Sequence, residues 1–283
     1  MMKVSVIIPF RNKSPVVEEC INSVKRQNYK NVEIIAVSDR AKFEDKDVIS
    51  LVNPKCRGVG DKRNFGVTRA KGEIIFFLDS DCILKKDTIV KLIKTFKEHD
   101  VDAVSGKPLT PKKSNLLGLV TGLEYEYRFD QMGEGYVDVA ATTCLGVRRR
   151  AFQKVGGFKD YTKGEATGED WDFSARLRKG GFKIYHTNKV QVFHMHTSEP
   201  LWTWFKRRIK HSRYRITHYR RYGQAADQYM SWGGLITTTL LLNIPVTIKI
   251  YKKTRNSKIF FLPLYGLLRN VAWLIGVIAG LLD

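Results

Sequence analysis

The stretch Ile74-Ile75-Phe76-Phe77-Leu78-Asp79-Ser80-Asp81 decides the fold of this chain, because an apolar run ends there in two carboxylates. Five consecutive apolar residues bounded by polar ones are typical of a strand that is buried on both faces. In a fully extended backbone, the side chains of Asp79 and Asp81 would lie too far apart to share a ligand. We therefore expect a turn at Ser80 that brings at least one of them to a common point.

Carboxylates at the end of a buried strand suggest a metal site. Hard oxygen ligands such as Asp79 and Asp81 suit Mg²⁺ or Mn²⁺, which proteins usually hold with one or two carboxylates and the phosphates of a substrate. The same tripeptide is also typical of an Asx-turn that merely ends a strand. From these residues alone, both interpretations stay open.

Strands and helices alternate on both sides of this stretch. Strands are predicted at Val4–Ile8, Val32–Val37, Val48–Val52, Glu73–Leu78 and Val101–Ser105, and helices at Pro15–Gln27, Asp61–Ala70 and Asp87–His99. Such alternation predicts an α/β fold with a mostly parallel sheet flanked by helices. Ligands of such sheets bind beyond the carboxyl ends of the strands, which directs attention to Pro9–Asn12, Ser38–Arg40 and Asp79–Asp81.

The second half of the chain has a mixed pattern. It predicts a helix from Asn115 to Gln131, short strands near Val137 and Leu145, a helix after Thr167, and closing strands at Phe182–Tyr185 and Val190–Phe193. The composition then shifts sharply after His196. We place a domain boundary there, which gives a catalytic domain over residues 1–196 and a basic, aromatic and hydrophobic helical region over residues 197–283.

Three further motifs carry candidate chemistry. The segment Arg57–Asn64 lacks the third glycine of a dinucleotide fingerprint and the Gly-Lys-Ser/Thr of a P-loop, but it suits phosphate or ribose binding at a helix start. Thr167–Asp172 resembles a capping box with Thr167 as N-cap, and it also offers a carboxylate as a general base. His194 and His196 end a strand, where one of them is placed to bind a metal. Each motif has an equally simple structural explanation, as a capped helix or a hydrogen-bonded histidine.

The order and spacing of these motifs are far more specific than any one of them. They comprise Val6-Ile7-Ile8-Pro9-Phe10-Arg11-Asn12, Asp39, Lys62-Arg63-Asn64, Asp79-Ser80-Asp81, Glu169-Asp170 and the pair His194 and His196. In this order the chain resembles the family 2 glycosyltransferases over roughly residues 1–205. That resemblance implies the GT-A fold, a Rossmann-like sheet, and an inverting transfer of sugar from a nucleotide diphosphate.

The resemblance also assigns roles to residues. The nucleotide-binding residues that it implies are Pro9, Phe10, Arg11, Asn12, Asp39, Arg63, Asn64, Asp79 and Ser80. The metal ligands that it implies, for Mn²⁺ or Mg²⁺, are Asp79, Asp81, His194 and His196. Asp170 becomes the catalytic base, with Glu169 beside it, and takes the proton of the acceptor hydroxyl as that oxygen attacks the anomeric carbon.

Two positions of the nucleotide pocket depart from the family pattern. Lys13 stands where an acidic residue is common, and Ser38 replaces the first of two aspartates after the second strand. Both departures bear on the identity of the base. On resemblance we favour GDP-mannose as the donor over a UDP-hexose, and the transfer of mannose over that of another hexose.

The C-terminal region combines positive charge with apolar segments. The chain has a formal net charge of +21, and thirteen Lys and Arg face a single acidic residue, Asp227, between Leu201 and Lys258. Aromatic residues and cations alternate over Pro200–Tyr222, as in a helix that lies among lipid headgroups. This pattern predicts an anionic membrane surface and a lipid-linked or glycolipid acceptor as partners. A solvated basic helix packed on the catalytic domain is the alternative.

Two apolar segments are long enough to enter a membrane. Gln228–Ile248 is uncharged over 21 residues, whereas Ile259–Leu282 contains Arg269. If the first segment crossed the membrane, the basic residues that follow it would lie outside the cell, against the positive-inside rule. We therefore expect a monotopic arrangement at the cytoplasmic face of the cell membrane. A two-span anchor is the alternative.

Three other classes of protein share some of these features. A nucleic-acid-binding protein would be basic too, but its cations should line a groove rather than flank apolar segments, so no nucleic acid is expected. A glycoside hydrolase also uses paired carboxylates but needs no metal. A scaffold that has lost catalysis is disfavoured by the intact Asp79, Asp81 and Asp170. Within the transferase class, a UDP-hexose enzyme of polysaccharide assembly is the main alternative.

Overall fold

The computed structural model of the protein describes residues 1–159, 168–195, 199–223 and 243–283. The first elements are β1 (Val4–Phe10), α1 (Pro15–Lys25), β2 (Val32–Ser38), β3 (Val48–Val52), α2 (Val59–Val67), β4 (Ile74–Leu78), β5 (Cys82–Leu84), α3 (Thr88–Glu98) and β6 (Ala103–Leu109). They are followed by α4 (Leu116–Met132), β7 (Gly135–Tyr136), β8 (Cys144–Arg148), α5 (Arg149–Lys154), α6 (Glu169–Lys179), β9 (Ile184–His194), α7 (Leu201–Tyr222), α8 (Ile244–Thr254) and α9 (Leu262–Leu282).

The chain divides into two compact units. The first comprises Met1–Pro108 and Met132–Met195, and the second comprises Leu109–Gln131 and His196–Asp283. Helix α4 therefore falls almost entirely in the unit that contains the C-terminal residues, although the sequence analysis placed it in the catalytic domain. The division after His196 at the other end of that domain stays a prediction.

The first unit is built on one sheet with the strand order β3-β2-β1-β4-β8-β6-β9-β5. Strand β1 pairs in parallel with β2 and with β4, and β2 pairs in parallel with β3. Beyond β4 the pairings β4–β8, β6–β8, β5–β9 and β7–β9 are antiparallel. The predicted α/β fold with a helix-flanked sheet is confirmed, with a parallel half and an antiparallel half. Because β1, β2 and β4 are parallel, their carboxyl ends share one edge of the sheet.

Helices cover both faces of this sheet. One face packs its side chains against α1 and α3, with Val6 and Phe76 at its centre. The other face packs against α2, α5 and α6, with Ile7 and Phe77 at its centre. Strand β4 is buried along its whole length. This explains why its sequence is a continuous apolar run rather than an alternating one.

Several predicted elements differ from the observed ones. The two predicted closing strands form one strand, β9, because Tyr185 and His186 pair with β7 while Val192–His194 pair with β5. His186 is fully buried despite its polarity, so the polar stretch inside β9 does not break the strand. The short elements β5 and α5 were not predicted. Helix α6 is capped by Gly168 rather than by the predicted Thr167, which lies outside the described residues.

The second unit contains α4, α7, α8 and α9. Helices α7 and α9 pack closely at Gly276, where a Cβ atom would lie 1.9 Å from Ser212 Oγ and 2.2 Å from the carbonyl oxygen of Ile209. A buried ion pair joins α9 to α4, since Arg269 Nη1 lies 2.6 Å and 2.5 Å from the two carboxylate oxygens of Glu124. Glycine is required at the helix contact because the two backbones approach too closely for any side chain.

The segment Ser257–Leu282 is long and apolar enough to cross a membrane, and its most apolar 18-residue stretch has a mean hydropathy of 1.6 with 28% of its residues buried. The rest of that stretch is at least partly accessible. The predicted segment Gln228–Ile248 lies largely outside the described residues, and its described part, from Asn243, begins helix α8.

Candidate active site

A turn after β4 begins the site. The N–H of Cys82 donates to the carbonyl oxygen of Asp79 at 3.0 Å, which closes the turn at Ser80 that the sequence predicts. The chain then returns to the sheet as β5 and pairs with the end of β9. In addition, the N–H of Met195 donates to the carbonyl oxygen of Asp81 at 2.8 Å. The backbone of Asp81 is thus fixed on both sides.

This turn assembles the residues that could hold a metal ion. His194 Nε2 lies 3.3 Å from Asp81 Oδ2. Cys82 is directly opposite His194 across β5 and β9, and one ligand atom from each of these three residues lies within 4.8 Å of the others. A carboxylate oxygen and an imidazole nitrogen form a donor set that fits Mn²⁺ well. His196, the other predicted histidine, lies outside the described residues.

Asp79 takes part in a different contact. Its Oδ1 accepts a hydrogen bond of 2.7 Å from Arg63 Nη2, while Arg63 Nη1 donates to Glu169 Oε1 at 3.0 Å. The Arg63 side chain is only 2% exposed and lies with its guanidinium carbon 5.3 Å from the centre of the Phe158 ring. Arg63 therefore links the end of β4 to the first residue of α6.

Burial by itself would lower the pKa of Arg63, but the attraction of Asp79 and Glu169 outweighs it and raises that pKa above the ordinary value. Two of the three guanidinium nitrogens are engaged by protein carboxylates. The family resemblance predicts that Arg63 binds nucleotide. In the structure it acts as an internal bridge, and a direct contact with nucleotide stays a prediction.

Asp170 follows Glu169 in the first turn of α6. Its Oδ1 accepts a hydrogen bond of 2.9 Å from the N–H of Trp171, and Ser174 Oγ donates to its carbonyl oxygen at 2.7 Å. Burial, and then the neighbouring charge of Glu169, raise the pKa of Asp170 to about 7. A carboxyl group with a pKa near neutrality is well matched to accepting a proton from a hydroxyl group.

The carboxyl ends of β1 and β2 form the predicted nucleotide edge. Ser38 Oγ donates to the carbonyl oxygen of Arg11 at 3.1 Å and accepts from the N–H of Arg40 at 3.1 Å, so it joins the two strand ends. Of the predicted residues here, Pro9 and Phe10 are buried in β1, whereas Arg11 and Asn12 are exposed just beyond it. The serine that departs from the family pattern thus shapes the loop.

Asp39 lies at the same edge. Lys62 Nζ is 2.5 Å from its Oδ1, and Arg40 Nε is 3.1 Å from its Oδ2. The hydrogen bond from Lys62 is the main reason that the pKa of Asp39 is lowered to about 2. Asp39 is therefore ionised at neutral pH, and its predicted contact with the nucleotide base stays a prediction.

Asn64 supports the loop at Phe158. Its Nδ2 donates to the carbonyl oxygen of Phe158 at 2.7 Å, and its Oδ1 accepts from the N–H of Phe158 at 2.8 Å. Since the Phe158 ring packs against the Arg63 guanidinium, this pair of bonds holds that contact in place. The predicted contact of Asn64 with nucleotide stays a prediction.

Comparison with known proteins explains this arrangement. The family described as "Glycosyl transferase family 2" matches residues 5–156 of the chain, more than half of its length. The chain belongs to this family. The predicted family and the GT-A fold are thereby confirmed, and the site lies in the unit that holds most of the matched residues.

Two relatives of the chain come from bacteria. It is 31% identical over 135 residues to "Glycosyltransferase GlyG" of Streptococcus pneumoniae, a match that covers 43% of this chain and 45% of GlyG. It is 25% identical over 218 residues to "O-antigen chain rhamnosyltransferase RfbN" of Salmonella typhimurium, covering 70% of this chain and 68% of RfbN. The match therefore spans less than half of GlyG and about two thirds of RfbN.

A solved structure supports the fold over nearly the whole chain. The mannosyltransferase PcManGT from Pyrobaculum calidifontis, solved in complex with GDP-Man and Mn²⁺, superimposes with a TM-score of 0.65 and 17% identity. The superposition covers 99% of this chain and 87% of that one. At this level of identity the likeness shows a shared GT-A fold.

Two features of the site were not predicted from sequence. Cys82 lies with Asp81 and His194 in the candidate metal site, although only its position directly after Asp81 pointed to it. The bridge from Arg63 to Glu169 joins residues 106 positions apart, and no local pattern indicates it. The place of Cys82 depends on the pairing of β5 with β9, and the bridge to Glu169 depends on the packing of α6 over the sheet.

Proposed function

We propose that the chain is an inverting, metal-dependent hexosyltransferase that uses a nucleotide diphosphate sugar. The observation that carries this proposal is that Arg63 binds both Asp79, two residues before Asp81 and its contact with His194, and Glu169, the neighbour of Asp170. A candidate cation site and a carboxyl group with a pKa of about 7 are thus linked through one guanidinium group. This is the pair of functions that a single displacement at a sugar carbon requires.

Asp81 and His194 are the residues that would hold the metal ion. When bound, a divalent cation neutralises the charge that develops on the leaving diphosphate. We favour Mn²⁺ over Mg²⁺ because Mg²⁺ strongly prefers oxygen ligands, whereas His194 offers an imidazole nitrogen. The assignments of Asp79 and His196 as further ligands remain part of the prediction from resemblance.

Asp170 would act as the base. Its carboxylate takes the proton of the acceptor hydroxyl while that oxygen attacks the anomeric carbon from the face opposite the diphosphate. One displacement of this kind inverts the configuration. Glu169 would act mainly by fixing the start of α6 through Arg63 and by raising the pKa of its neighbour.

For the donor we favour GDP-mannose, with a UDP-hexose as the alternative. The support is the fold shared with PcManGT, which was solved with GDP-Man and Mn²⁺. Asp39, held ionised by Lys62, would accept the donor N–H groups of the base. A guanine offers two such groups side by side, whereas a uracil offers one.

For the acceptor we propose a lipid-linked glycan or glycolipid at the cytoplasmic face of the cell membrane. Helix α9 supports this, because its exposed face consists only of apolar residues at helical spacing: Leu264, Leu267, Val271, Leu274, Ile275, Ile278 and Leu281. Its opposite face holds the buried pair of Arg269 with Glu124. One apolar face and one protein-bound face favour a helix that lies in one leaflet, in the plane of the membrane, over one that crosses it.

Thermal-shift measurements with nucleotides test the donor assignment. We expect GDP with Mn²⁺ to raise the melting temperature more than UDP with Mn²⁺, and either nucleotide alone to act weakly. Radiolabelled GDP-mannose and UDP-glucose then test transfer to a membrane extract. A chain that neither binds a nucleoside diphosphate in the presence of Mn²⁺ nor transfers sugar from either donor would rule out the proposed activity.

A further inference from the structure

We infer that the C-terminal unit carries a binding site for a phosphate or diphosphate ester on one side of α7, formed by Trp204, Arg208, His211 and Arg215. These residues are separated by four, three and four positions, so their side chains lie along one side of the helix. The inference rests on the proposed function only for the source of the ester, which we take to be the lipid-linked acceptor.

Arg208 is the best-placed residue of this site. Its guanidinium carbon lies 5.6 Å from the centre of the Trp204 ring, and Trp204 is itself only 4% exposed. Stacking on an indole fixes the plane of a guanidinium group. The Nε of Arg208 is buried and has no hydrogen-bond partner among the residues that the structure describes. Arg208 is thus held in place by Trp204, and its Nε–H can still donate a hydrogen bond.

Among the described residues, positive charge near Arg208 exceeds negative charge. Its described surroundings contain Arg207, Arg269 and the carboxylates Glu199 and Glu124. Both carboxylates are already engaged, since Glu199 lies 2.5 Å from Arg207 and Glu124 lies 2.5 Å from Arg269. Arg208 therefore adds a positive charge to a group of residues whose two acids already bind other arginines. A bound anion would balance this charge.

The behaviour of the titratable groups agrees with this geometry. Burial, and then Arg207 and Arg269, lower the pKa of Arg208 to about 10. Burial, and then Arg208, Arg207 and Arg215, lower the pKa of His211 to about 3. Positive charge is therefore costly here in the protein alone. His211 is neutral at physiological pH and can donate a hydrogen bond without adding charge.

The chemistry of the site selects its ligand. The planar fork of an arginine matches phosphate oxygens, and such charge-assisted bonds are the strong ones in proteins. The same unit holds the exposed apolar face of α9, and Trp204 contacts Tyr265 of that helix with ring centres 6.4 Å apart. A phosphate at the head of a lipid would place its charge on α7 and its chain along α9. The diphosphate of the donor is the other source of the same chemistry.

Binding measurements on the full-length protein test this inference. We would compare the wild type with Arg208→Gln, with Arg208→Lys, and with Arg26→Gln, which changes a surface arginine directly after α1 that pairs with Glu19. The probes are polyprenyl phosphate in phosphatidylcholine nanodiscs, sodium pyrophosphate, and GDP with Mn²⁺. Circular dichroism and thermal unfolding establish that each variant is folded.

We expect Arg208→Gln to weaken binding of polyprenyl phosphate and pyrophosphate about tenfold or more, the loss typical of a hydrogen bond to a charged group. Arg208→Lys should recover part of that loss, and Arg26→Gln should bind like the wild type. GDP binding should change less than about twofold. A selective loss of GDP binding would instead assign the site to the donor and overturn the lipid assignment.

Unchanged affinity of Arg208→Gln for both phosphate probes would overturn the site itself, as would a wild type that binds neither. Because binding is measured without turnover, these outcomes are independent of the transferase proposal. An enzyme without transfer activity that still binds polyprenyl phosphate through Arg208 would refute the proposed function and leave the site intact.

Discussion

Arg63 Nη1 lies 3.0 Å from Glu169 Oε1, so a residue of α2 holds the first residue of the helix that carries Asp170. The same guanidinium binds Asp79 at the end of β4. One buried cation thus joins the end of β4, close to the candidate metal ligand Asp81, to the helix that carries the candidate base Asp170. In the proposed mechanism the donor and the acceptor hydroxyl meet between these two residues, so transfer would depend on their separation.

Replacing Arg63 by glutamine should destabilise the protein strongly. Two partly buried carboxylates would lose their shared cation, and breaking a buried pair in this way costs roughly 3 to 5 kcal/mol. Urea denaturation measures the change in the free energy of unfolding. Arg26→Gln, which removes an exposed arginine that pairs with Glu19, should cost less than about 1 kcal/mol. Equal losses in the two variants would contradict the bridging role of Arg63.

Replacing Asp170 by asparagine should lower turnover by about 10²-fold to 10⁴-fold, the usual contribution of a general base. The amide keeps the shape of the side chain but cannot take a proton. Binding of GDP with Mn²⁺, measured by calorimetry, should stay close to that of the wild type. The matched control is Asp100→Asn, because Asp100 has a 92% exposed side chain. Near-normal turnover of the Asp170 variant would exclude it as the base.

The rate of transfer should rise with pH through about 7. A base must be ionised to accept a proton, and the pKa of Asp170 is raised to about 7. The pKa of Asp39 is lowered to about 2, so the contact of Asp39 with the donor should add no pH dependence over the same range. Initial rates and donor affinities between pH 5 and pH 9 separate these effects.

Protein stability should follow the opposite trend at this group. Because the pKa of Asp170 is raised on folding, its protonated form contributes stability at low pH, and this contribution is lost as pH rises through about 7.

The Asp170→Asn variant is the control for the pH dependence of the rate. Its residual activity should not rise with pH through about 7. A wild-type rate that is constant between pH 5 and pH 9 would show that Asp170 has an ordinary pKa or is not the base.

Replacing His194 by alanine should weaken Mn²⁺ binding at least about tenfold, because the imidazole nitrogen near Asp81 is lost. Paramagnetic resonance of free Mn²⁺ measures this without reference to activity. The control is His99→Ala, since His99 stacks on Tyr185 with ring centres 4.1 Å apart and belongs to no part of the site. Unchanged Mn²⁺ affinity would remove His194 from the metal-binding residues.

Polar substitutions on the exposed face of α9 should release the protein from membranes. Leu274 and Ile278 are 54% and 50% exposed, and each buried aliphatic side chain contributes about 1.5 to 3 kcal/mol. Leu274→Gln and Ile278→Gln should each lower affinity for phosphatidylglycerol vesicles about tenfold in flotation assays. Ile49→Gln changes an exposed apolar residue of β3 in the other unit and should have no effect.

The orientation of the C-terminal helices has its own test. The four native cysteines are buried, so a single cysteine introduced by Lys253→Cys would be the accessible thiol among the described residues. A monotopic protein on the cytoplasmic leaflet should react only after the cells are opened. Labelling of this cysteine from outside intact cells would establish a spanning arrangement and contradict the one proposed.

Much of the first unit follows from local sequence. The apolar run of β4, the alternation of strands and helices, and the carboxylates after Leu78 are local patterns, and they predicted the strands, the turn at Ser80 and the sheet edge that carries the site. Short elements such as β5 were missed because three residues hold too little periodicity to indicate a strand. The interior of β9 was missed because burial of His186 depends on its neighbours across the sheet.

The sequence by itself determined which residue types meet at the site, since hydrophobic burial and strand polarity bring the ends of β1, β2 and β4 to one edge. Only the tertiary structure decided which of those residues contact one another. It paired Asp79 with Arg63, placed Asp81 beside His194, and buried Asp170, which is the main reason that the pKa of Asp170 is raised. The physical reason is that charge interactions fall off with distance in space. Arg63 and Glu169 are 106 positions apart along the chain. That separation does not indicate that the two side chains meet, because their distance in space is set only when the helices pack on the sheet.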